Sequence, residues 1–415
     1  MFNPELETQS PEQRRAYLGE RLRATVAHAY QNAPRVRQMM DQVGLKPSDI
    51  TGLDDLPKLP VLKKDDLSAV QAADPPFGGL LGVPIAKLQR IFMSPGPIYD
   101  AQGQGEDFWR FRKALVAAGF EAGDVVQNTF SYHLTTAGFM LDSGLRALGC
   151  VVLPAGVGQT ELQLRFAADS RATAYAGTPS FLHTLVTKAR DAGVRLNFKV
   201  AFVAAEMLPE SLRTELEQNF GIRVLQGYGT ADLGLVAYEC SEKKGMHLDP
   251  ESIVELLDLE TGKPAAPGQP GQVVVTIFDE AYPLLRFATG DISSLAPDAA
   301  CPCGRTARKL TGLLGRVGDA VKVKGMFIRG SQIDEVFKKF PAVARFQAVV
   351  TREQHQDHLT YEIELAESVP ELNAWTTKLA EALREALKVR GEVRVVPSGT
   401  LAAGAKKISD LRVWE

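Results

Sequence analysis

Between residues 120 and 240 short apolar runs alternate with helix-like stretches, and this alternation limits the chain's fold more than any other feature of it. The runs are Asp124-Val125-Val126-Gln127, Cys150-Val151-Val152-Leu153, Ala172-Thr173-Ala174-Tyr175-Ala176, Lys199-Val200-Ala201-Phe202-Val203 and Arg223-Val224-Leu225-Gln226. A strand that is apolar on both faces has to be covered on both, so the pattern predicts a parallel sheet with helices on either side. Ligands collect at the carboxyl ends of such strands.

The flanks read differently. Residues 11 to about 70 read as helical, with Leu18, Leu22, Val26 and Tyr30 at spacings of four, interrupted by Pro57 and Pro60. From about 250 to 300, Gly and Pro turns separate short strands, which predicts an antiparallel or barrel-like lobe. The last hundred residues predict a small α+β unit. In it Ser331 caps a helix bearing Ile333, Val336, Phe337 and Phe340, with Asp334 in capping-box position; Leu359, Tyr361, Ile363 and Leu365 alternate as a strand; and Leu372, Trp375, Leu379, Leu383 and Leu387 stripe a long helix. Gly315-Arg316-Val317-Gly318 is a natural hinge. The expected architecture is therefore an α/β protein: a large domain over 1–314, with parallel sheets covered by helices plus the barrel-like lobe, and a small mobile α+β domain over 315–415.

Charge and hydropathy remove several function classes. Lys plus Arg number 47 and Asp plus Glu number 50, a net charge of −3, which argues against nucleic acid or a membrane surface as partner. Apolar runs such as Gly138-Phe139-Met140-Leu141 end at a charge after a few residues, far short of the roughly 20 needed to span a bilayer. The polar, acidic start Met1-Phe2-Asn3-Pro4-Glu5 lacks the features of a secretory signal, so a cytoplasmic location is expected. A homodimer is compatible with these properties.

Two stretches carry chemistry. Tyr228-Gly229-Thr230-Ala231-Asp232 follows a predicted strand and would present a phenol, a hydroxyl and a carboxylate together, as a nucleotide and a metal ion require; the competing reading is a strand-to-helix loop with Asp232 as a cap. Tyr282-Pro283-Leu284-Leu285-Arg286-Phe287-Ala288-Thr289-Gly290-Asp291 ends in a carboxylate suited to gripping vicinal ribose hydroxyls, or else in a simple Asp turn.

These stretches, followed by Gly315-Arg316-Val317-Gly318-Asp319-Ala320-Val321-Lys322-Val323-Lys324-Gly325, stand in the order seen in adenylate-forming enzymes, and the chain most resembles the phenylacetate-CoA ligase family. Ala29-Tyr30-Gln31-Asn32-Ala33-Pro34, Asp55-Leu56-Pro57-Lys58-Leu59-Pro60, Gly177-Thr178-Pro179-Ser180 and Cys301-Pro302-Cys303-Gly304-Arg305-Thr306 extend the resemblance over nearly the whole chain. It implies ATP-dependent ligation of a carboxylic acid to CoA: the acid attacks ATP, pyrophosphate leaves, the small domain rotates and the thiol of CoA displaces AMP. It further implies that Tyr228 and Gly229 line the adenine site, Asp232 stands near Mg²⁺, Asp291 binds the ribose, Arg316 reaches ribose or phosphate, and Thr230 touches the α-phosphate.

Two stretches depart from the family's pattern. The phosphate loop of the family is rich in Ser, Thr and Gly and holds a Lys, whereas Phe92-Met93-Ser94-Pro95-Gly96-Pro97-Ile98-Tyr99-Asp100 has lost donors to proline and contains no Lys; Ser94 and Gly96 remain. Near the C-terminus the family's catalytic lysine follows a Gly; in Gly404-Ala405-Lys406-Lys407 it is shifted, and Lys406 is the candidate, Lys407 the reserve, with a solvated basic pair as the plain alternative. The departures leave open a non-catalytic or partly active adenylate-binding homologue, or an enzyme that passes the acyl group to an acceptor other than CoA.

Cys240, His247, Cys301 and Cys303 supply three thiolates and an imidazole, a tetrahedral set for structural Zn²⁺, and related ligases carry a similar cluster; free buried thiols and a surface histidine are the alternative. In Asn128-Thr129-Phe130-Ser131-Tyr132-His133-Leu134, Phe130 and Tyr132 could stack on an aryl acid and His133 could orient its carboxylate, unless it is a capping or core histidine. Glu206 after the next strand could reach the adenine end, or simply favour a helix N-terminus.

Overall fold

The computed structural model describes residues 1–94, 97–317, 320–324, 326–353, 356–402 and 406–412. The chain folds into two compact units: Met1–Ala205 with Glu215–Leu314, and Glu206–Thr214 with Gly315–Glu415. No helix among the described residues is long and apolar enough to cross a membrane.

All five apolar runs are strands: Val125–Asn128, Val151–Pro154, Ala174–Gly177, Val200–Val203 and Arg223–Thr230. They pair in parallel, with Val151–Pro154 at the edge and Arg223–Thr230 at the other end of the parallel set. Helices such as Ala137–Leu148 and Pro179–Asp191 alternate with them, each burying a leucine-bearing stripe. The antiparallel strands continue the same sheet in the order Gly234–Tyr238, Met246–Leu248, Lys309–Arg316, Phe287–Leu295, Gly271–Ile277 and Ser252–Leu257. Arg223–Thr230 is the pivot, parallel to Val200–Val203 on one side and antiparallel to Gly234–Tyr238 on the other.

The helix Pro11–Asn32 starts with a full capping box, Ser10 and Gln13 bonding each other's backbone N–H, and with proline in its first turn, where a missing N–H costs nothing. Leu22, Val26 and Ala29 are fully buried in the core that the antiparallel strands share, while Leu18 and Tyr30 are partly buried against it. In the second unit the strands Val343–Glu353, Gln356–Leu365, Glu392–Val395 and Ile408–Asp410 form a four-stranded sheet, against which Leu379, Leu383 and Leu387 of the helix Leu372–Leu387 are buried. The expected cap at Ser331 is displaced: the helix is Gly330–Phe337, Arg329 is its N-cap, and the Gln332 side chain accepts from the Arg329 N–H at 3.1 Å.

Arg286 ties the N-terminal segment to the sheet. Its Nη1 donates to the carbonyls of Pro57 (3.0 Å) and Leu59 (2.8 Å), while Nε and Nη2 form a bidentate pair with Glu255 at 2.9 and 3.0 Å. The short strand Leu62–Lys63 then pairs in parallel with Phe287 and Ala288, which fixes the start of the next helix, Lys64–Ala73. Removing one partner of such a buried pair leaves the other uncompensated. Arg286→Met is therefore expected to destabilise the protein by about 3–5 kcal/mol, read as a lower urea midpoint with an unchanged slope; a shift below about 1 kcal/mol, the scale of an exposed pair, would show that the clamp is incidental.

Candidate functional site

The Tyr228–Asp232 motif spans the end of the pivot strand and the turn into Gly234–Tyr238, a β-hairpin, so a strand rather than a helix for Asp232 to cap follows it. The register shifts between Tyr228 and Gly229. Gly229 is required by space, since a Cβ there would lie 2.6 Å from the Gly234 carbonyl oxygen. The Leu233 N–H donates to Thr230 Oγ1 at 3.2 Å and closes the turn that buries Asp232.

Across the sheet, Gln272 pairs with Ile292 and Val274 with Ala288, so Thr289, Gly290 and Asp291 bulge opposite the single residue Val273. Gly290 supplies the left-handed backbone, φ +81°, that the bulge needs. Thr289 is its hub: its hydroxyl donates to Val273 O at 3.1 Å and accepts from the Asp291 N–H at 3.1 Å. Tyr228 then donates its phenol to Asp291 Oδ2 at 2.7 Å and lies 3.2 Å from Thr289 Oγ1. Two motifs about sixty residues apart are thus joined through buried side chains.

A second polar node adjoins the hairpin tip. Asp232, buried, forms an ion pair with Lys64, the first residue of the helix Lys64–Ala73. Ser94 closes the strand Arg90–Ser94, which pairs antiparallel with Ile98–Gln102, and its hydroxyl donates to Asp100 Oδ2 at 2.6 Å. Burial, and then the charge of Asp232, push the Asp100 carboxyl up to about 7, opposed by the Ser94 hydrogen bond and by Lys64. Gln71 joins the helix to this hairpin, accepting from the Tyr99 N–H at 2.8 Å and donating to Tyr99 O at 2.7 Å and to Tyr282 at 3.1 Å. Gly96 lies outside the described residues.

Lys64 and Gln71 carry no signal in the sequence. Lys63-Lys64-Asp65-Asp66 reads as a solvated helix start, and nothing in it announces a partner 168 residues away.

The other candidates divide by unit. Phe130 is buried among Phe92, Trp109 and Met140. Tyr132 accepts from Asn128 Nδ2 at 2.8 Å, lies 3.2 Å from Asp142 Oδ2 as its donor, and meets Phe139 edge-on at 5.1 Å. His133 is exposed in the loop before the helix Ala137–Leu148, whose N-cap is Thr136, so it is neither a core nor a capping histidine. Glu206, half-buried, Arg316 and Lys406 fall in the second unit. The helix after Glu206 begins only at Glu210. Lys406 is exposed with its carbonyl accepting from Gln347 at 2.9 Å, and Lys407 is ion-paired with Asp334.

Cys240, His247, Cys301 and Cys303 converge, with ligand atoms all within 4.8 Å of one another. Cys240 and Cys301 sulfurs lie 3.7 Å apart, and Cys303 Sγ lies 3.5 Å from His247 Nε2. A disulfide needs about 2.05 Å. A tetrahedral ion with bonds of about 2.3 Å to sulfur and about 2.1 Å to nitrogen has edges of about 3.8 and 3.6 Å, and the observed spacings match these. Burial holds the imidazole of His247 down at about 4, so it is neutral, and Nδ1 donates to Ala307 O at 3.0 Å, leaving Nε2 as the ligand atom. Arg305, two residues past Cys303, donates from Nε to buried Glu7 at 2.6 Å.

Comparison with known proteins finds relatives over most of the chain. The AMP-binding enzyme family model matches residues 107–276, and the model for the AMP-binding enzyme C-terminal domain matches 325–412. Phenylacetate-coenzyme A ligase of Thermus thermophilus is 34% identical over 383 residues, covering 88% of this chain and 85% of the relative. That of Escherichia coli is 30% identical over 437 residues, covering 98% and 97%. The solved structure of a 2-hydroxyisobutyryl-CoA ligase, in complex with 2-HIB-AMP and CoA, superposes with a TM-score of 0.91 at 24% identity, covering 99% of this chain and 92% of that one.

The Asp100 environment has a measurable consequence. A carboxyl raised from 3.8 to about 7 keeps its proton in the native state where the unfolded chain has released it, so the native state binds more protons and loses stability as pH climbs through that window. Asp100→Asn removes this dependence. Its stability relative to the parent should increase from about pH 4 to about pH 7 and then level off, as followed by denaturant midpoints; a difference independent of pH would contradict the buried-carboxyl assignment.

Proposed function

The chain belongs to the AMP-binding enzyme family and groups with its phenylacetate-coenzyme A ligases, and from that premise we propose that it is an ATP-dependent carboxylic acid:CoA ligase acting on an aryl or arylacetic acid through an acyl-adenylate. The observation that carries this reading is the Tyr228–Thr289–Asp291 node. It holds an acceptor carboxylate beside a phenol at the place where the sheet changes direction, where a nucleoside can be gripped by its ribose hydroxyls and covered by a ring.

The acid's carboxylate attacks the α-phosphorus, pyrophosphate leaves, and the thiol of CoA then displaces AMP. Thr230 at the turn is the hydroxyl assigned to the α-phosphate, Phe130 and Tyr132 are the rings assigned to the acid, and the exposed His133 is assigned to orienting its carboxylate. From the second unit Arg316, Glu206 and Lys406 are assigned to the ribose and phosphate, the adenine end and the adenylation step. Asp232, ion-paired with Lys64, is the carboxylate assigned to Mg²⁺, which when bound would neutralise charge on the phosphates. The loop that departs at Pro95 and Asp100 and the shifted lysine at Lys406 are the features favouring a binder that no longer adenylates.

ATP:pyrophosphate exchange across a panel of aliphatic and aryl acids tests the reading. Exchange stimulated by aryl acids supports it; tight AMP binding without exchange for any acid would favour the binder. Asp291→Ala removes two charge-assisted hydrogen bonds and should weaken AMP by roughly a hundredfold or more, measured by calorimetry.

The four-residue cluster is assigned to structural Zn²⁺, since protein would fill every coordination position. Purified protein should carry about one equivalent of zinc. A strong chelator should lower the melting temperature before it weakens AMP binding; equal loss of both would place the metal at the chemistry instead.

A further inference from the structure

The phosphate loop lacks a cation, yet a buried ammonium stands at its base. We propose that Lys64, contributed by the N-terminal segment, is the group that takes the triphosphate of ATP, in the role left vacant by the loop; this rests on the ligase reading above.

No lysine or arginine occurs from Ile91 to Glu106, so the hairpin Arg90–Ser94 and Ile98–Gln102 has no cation of its own beyond Arg90, at its far end. Arg90 is exposed, bonded to Gln102 at 2.9 Å and stacked over the Phe139 ring, which occupies it away from the turn. Lys64 is different. Its side chain is 12% exposed, it is ion-paired with Asp232, and its charge acts on Asp100, the residue that Ser94 holds. One ammonium therefore serves two buried carboxyl groups at the edge of the loop, and with no second cation beside them among the described residues Asp100 ionises only near pH 7.

The deficit shows in the hydrogen bonds. Asp232 Oδ1 and Asp100 Oδ1 are both buried and have no hydrogen-bond partner among the described residues. Buried carboxylate oxygens are ordinarily paired, and leaving them unpaired costs about 1–3 kcal/mol or more each. A site with spare acceptors and one resident cation is prepared for a second cation. ATP brings a divalent ion with it. Once the carboxylates have that ion, the ammonium is no longer needed as their counter-ion and can turn to the phosphates that arrive with it.

The anchor suits such a role. Lys64 follows immediately on the strand Leu62–Lys63, which is paired to Phe287 and Ala288, and its helix is bonded through Gln71 to Tyr99 and Tyr282. The backbone is fixed on both sides while the four-carbon stem remains free to swing. The ribose carboxylate Asp291 lies three residues beyond Ala288 on that same strand, so the ammonium and the ribose site share one support.

The test compares the full chain with Lys64→Met and Lys64→Arg in three measurements: calorimetric binding of AMP and of an ATP analogue with a methylene between the α- and β-phosphorus atoms, both with Mg²⁺; pyrophosphate exchange; and thioester formation from preformed acyl-adenylate with CoA, a step without triphosphate. Lys64→Met should weaken the analogue by about 30-fold or more and raise KM for ATP similarly. AMP affinity and the thioester step should stay within about threefold of the parent, and Lys64→Arg should recover part of the loss. Equal weakening of AMP and the analogue, or loss of both half-reactions together, assigns Lys64 a structural role and overturns the proposal. Should the methionine variant fail to fold, Lys64→Gln, whose amide still donates to Asp232, replaces it with the same criteria. A parent that binds both nucleotides but exchanges with no acid refutes the ligase reading while the analogue-to-AMP ratio still decides the role of Lys64; a parent that binds neither refutes both.

Discussion

The site depends on a clamp that carries no chemistry of its own. Arg286 reaches with one end to the carbonyls of Pro57 and Leu59 and with the other to Glu255, and its own carbonyl accepts from the Leu62 N–H at 3.2 Å. Leu56, Leu59 and Leu62 of the segment around Pro57 and Pro60 are buried in the core shared with the antiparallel strands, and the clamp fixes the backbone between them. Because it is held, Lys64 emerges beside the turn that carries Asp232. The N-terminal region thereby becomes one wall of the site.

A second constraint is the change of direction at Arg223–Thr230. A parallel strand must be followed by a crossover, whereas an antiparallel one permits a tight turn. The switch lets Thr230 and Asp232 occupy such a turn directly after the last parallel strand, close enough for Tyr228 to reach Asp291 on a strand from the antiparallel set. Neither half of the sheet alone could present both carboxylates.

The parallel half was legible because each of its strands is apolar on two faces, a pattern with few other solutions. Continuity with the antiparallel half was not, since it depends on hydrogen bonds that no side-chain pattern records. The motifs around Tyr228 and Asp291 were readable as chemistry, but Thr289-Gly290-Asp291 read as a turn where the sheet has a bulge, and their union through Thr289 is a property of the folded sheet alone. Asp100 reads in the sequence as repulsion only; in the fold it is held by Ser94 and balanced by Lys64. Polar pairs at long separation leave no periodic trace, which is why Lys64 and Gln71 stayed hidden. For the thiolate and imidazole set, residue type alone was informative, because three cysteines and a histidine seldom meet without reason.

The amino-terminal residues are more than a frayed end. Glu7 accepts the N–H groups of Phe2 and Asn3 at 2.8 Å on one oxygen and Arg305 on the other, and Thr306 donates its backbone N–H to the Glu7 carbonyl at 3.0 Å. Arg305 and Thr306 directly follow the loop that carries Cys301 and Cys303. The first turn of the chain is therefore an outer strut of the sulfur cage. Trimming ten residues, or hanging a bulky fusion from Met1, would be felt in the aim of two cysteine side chains about three hundred positions downstream.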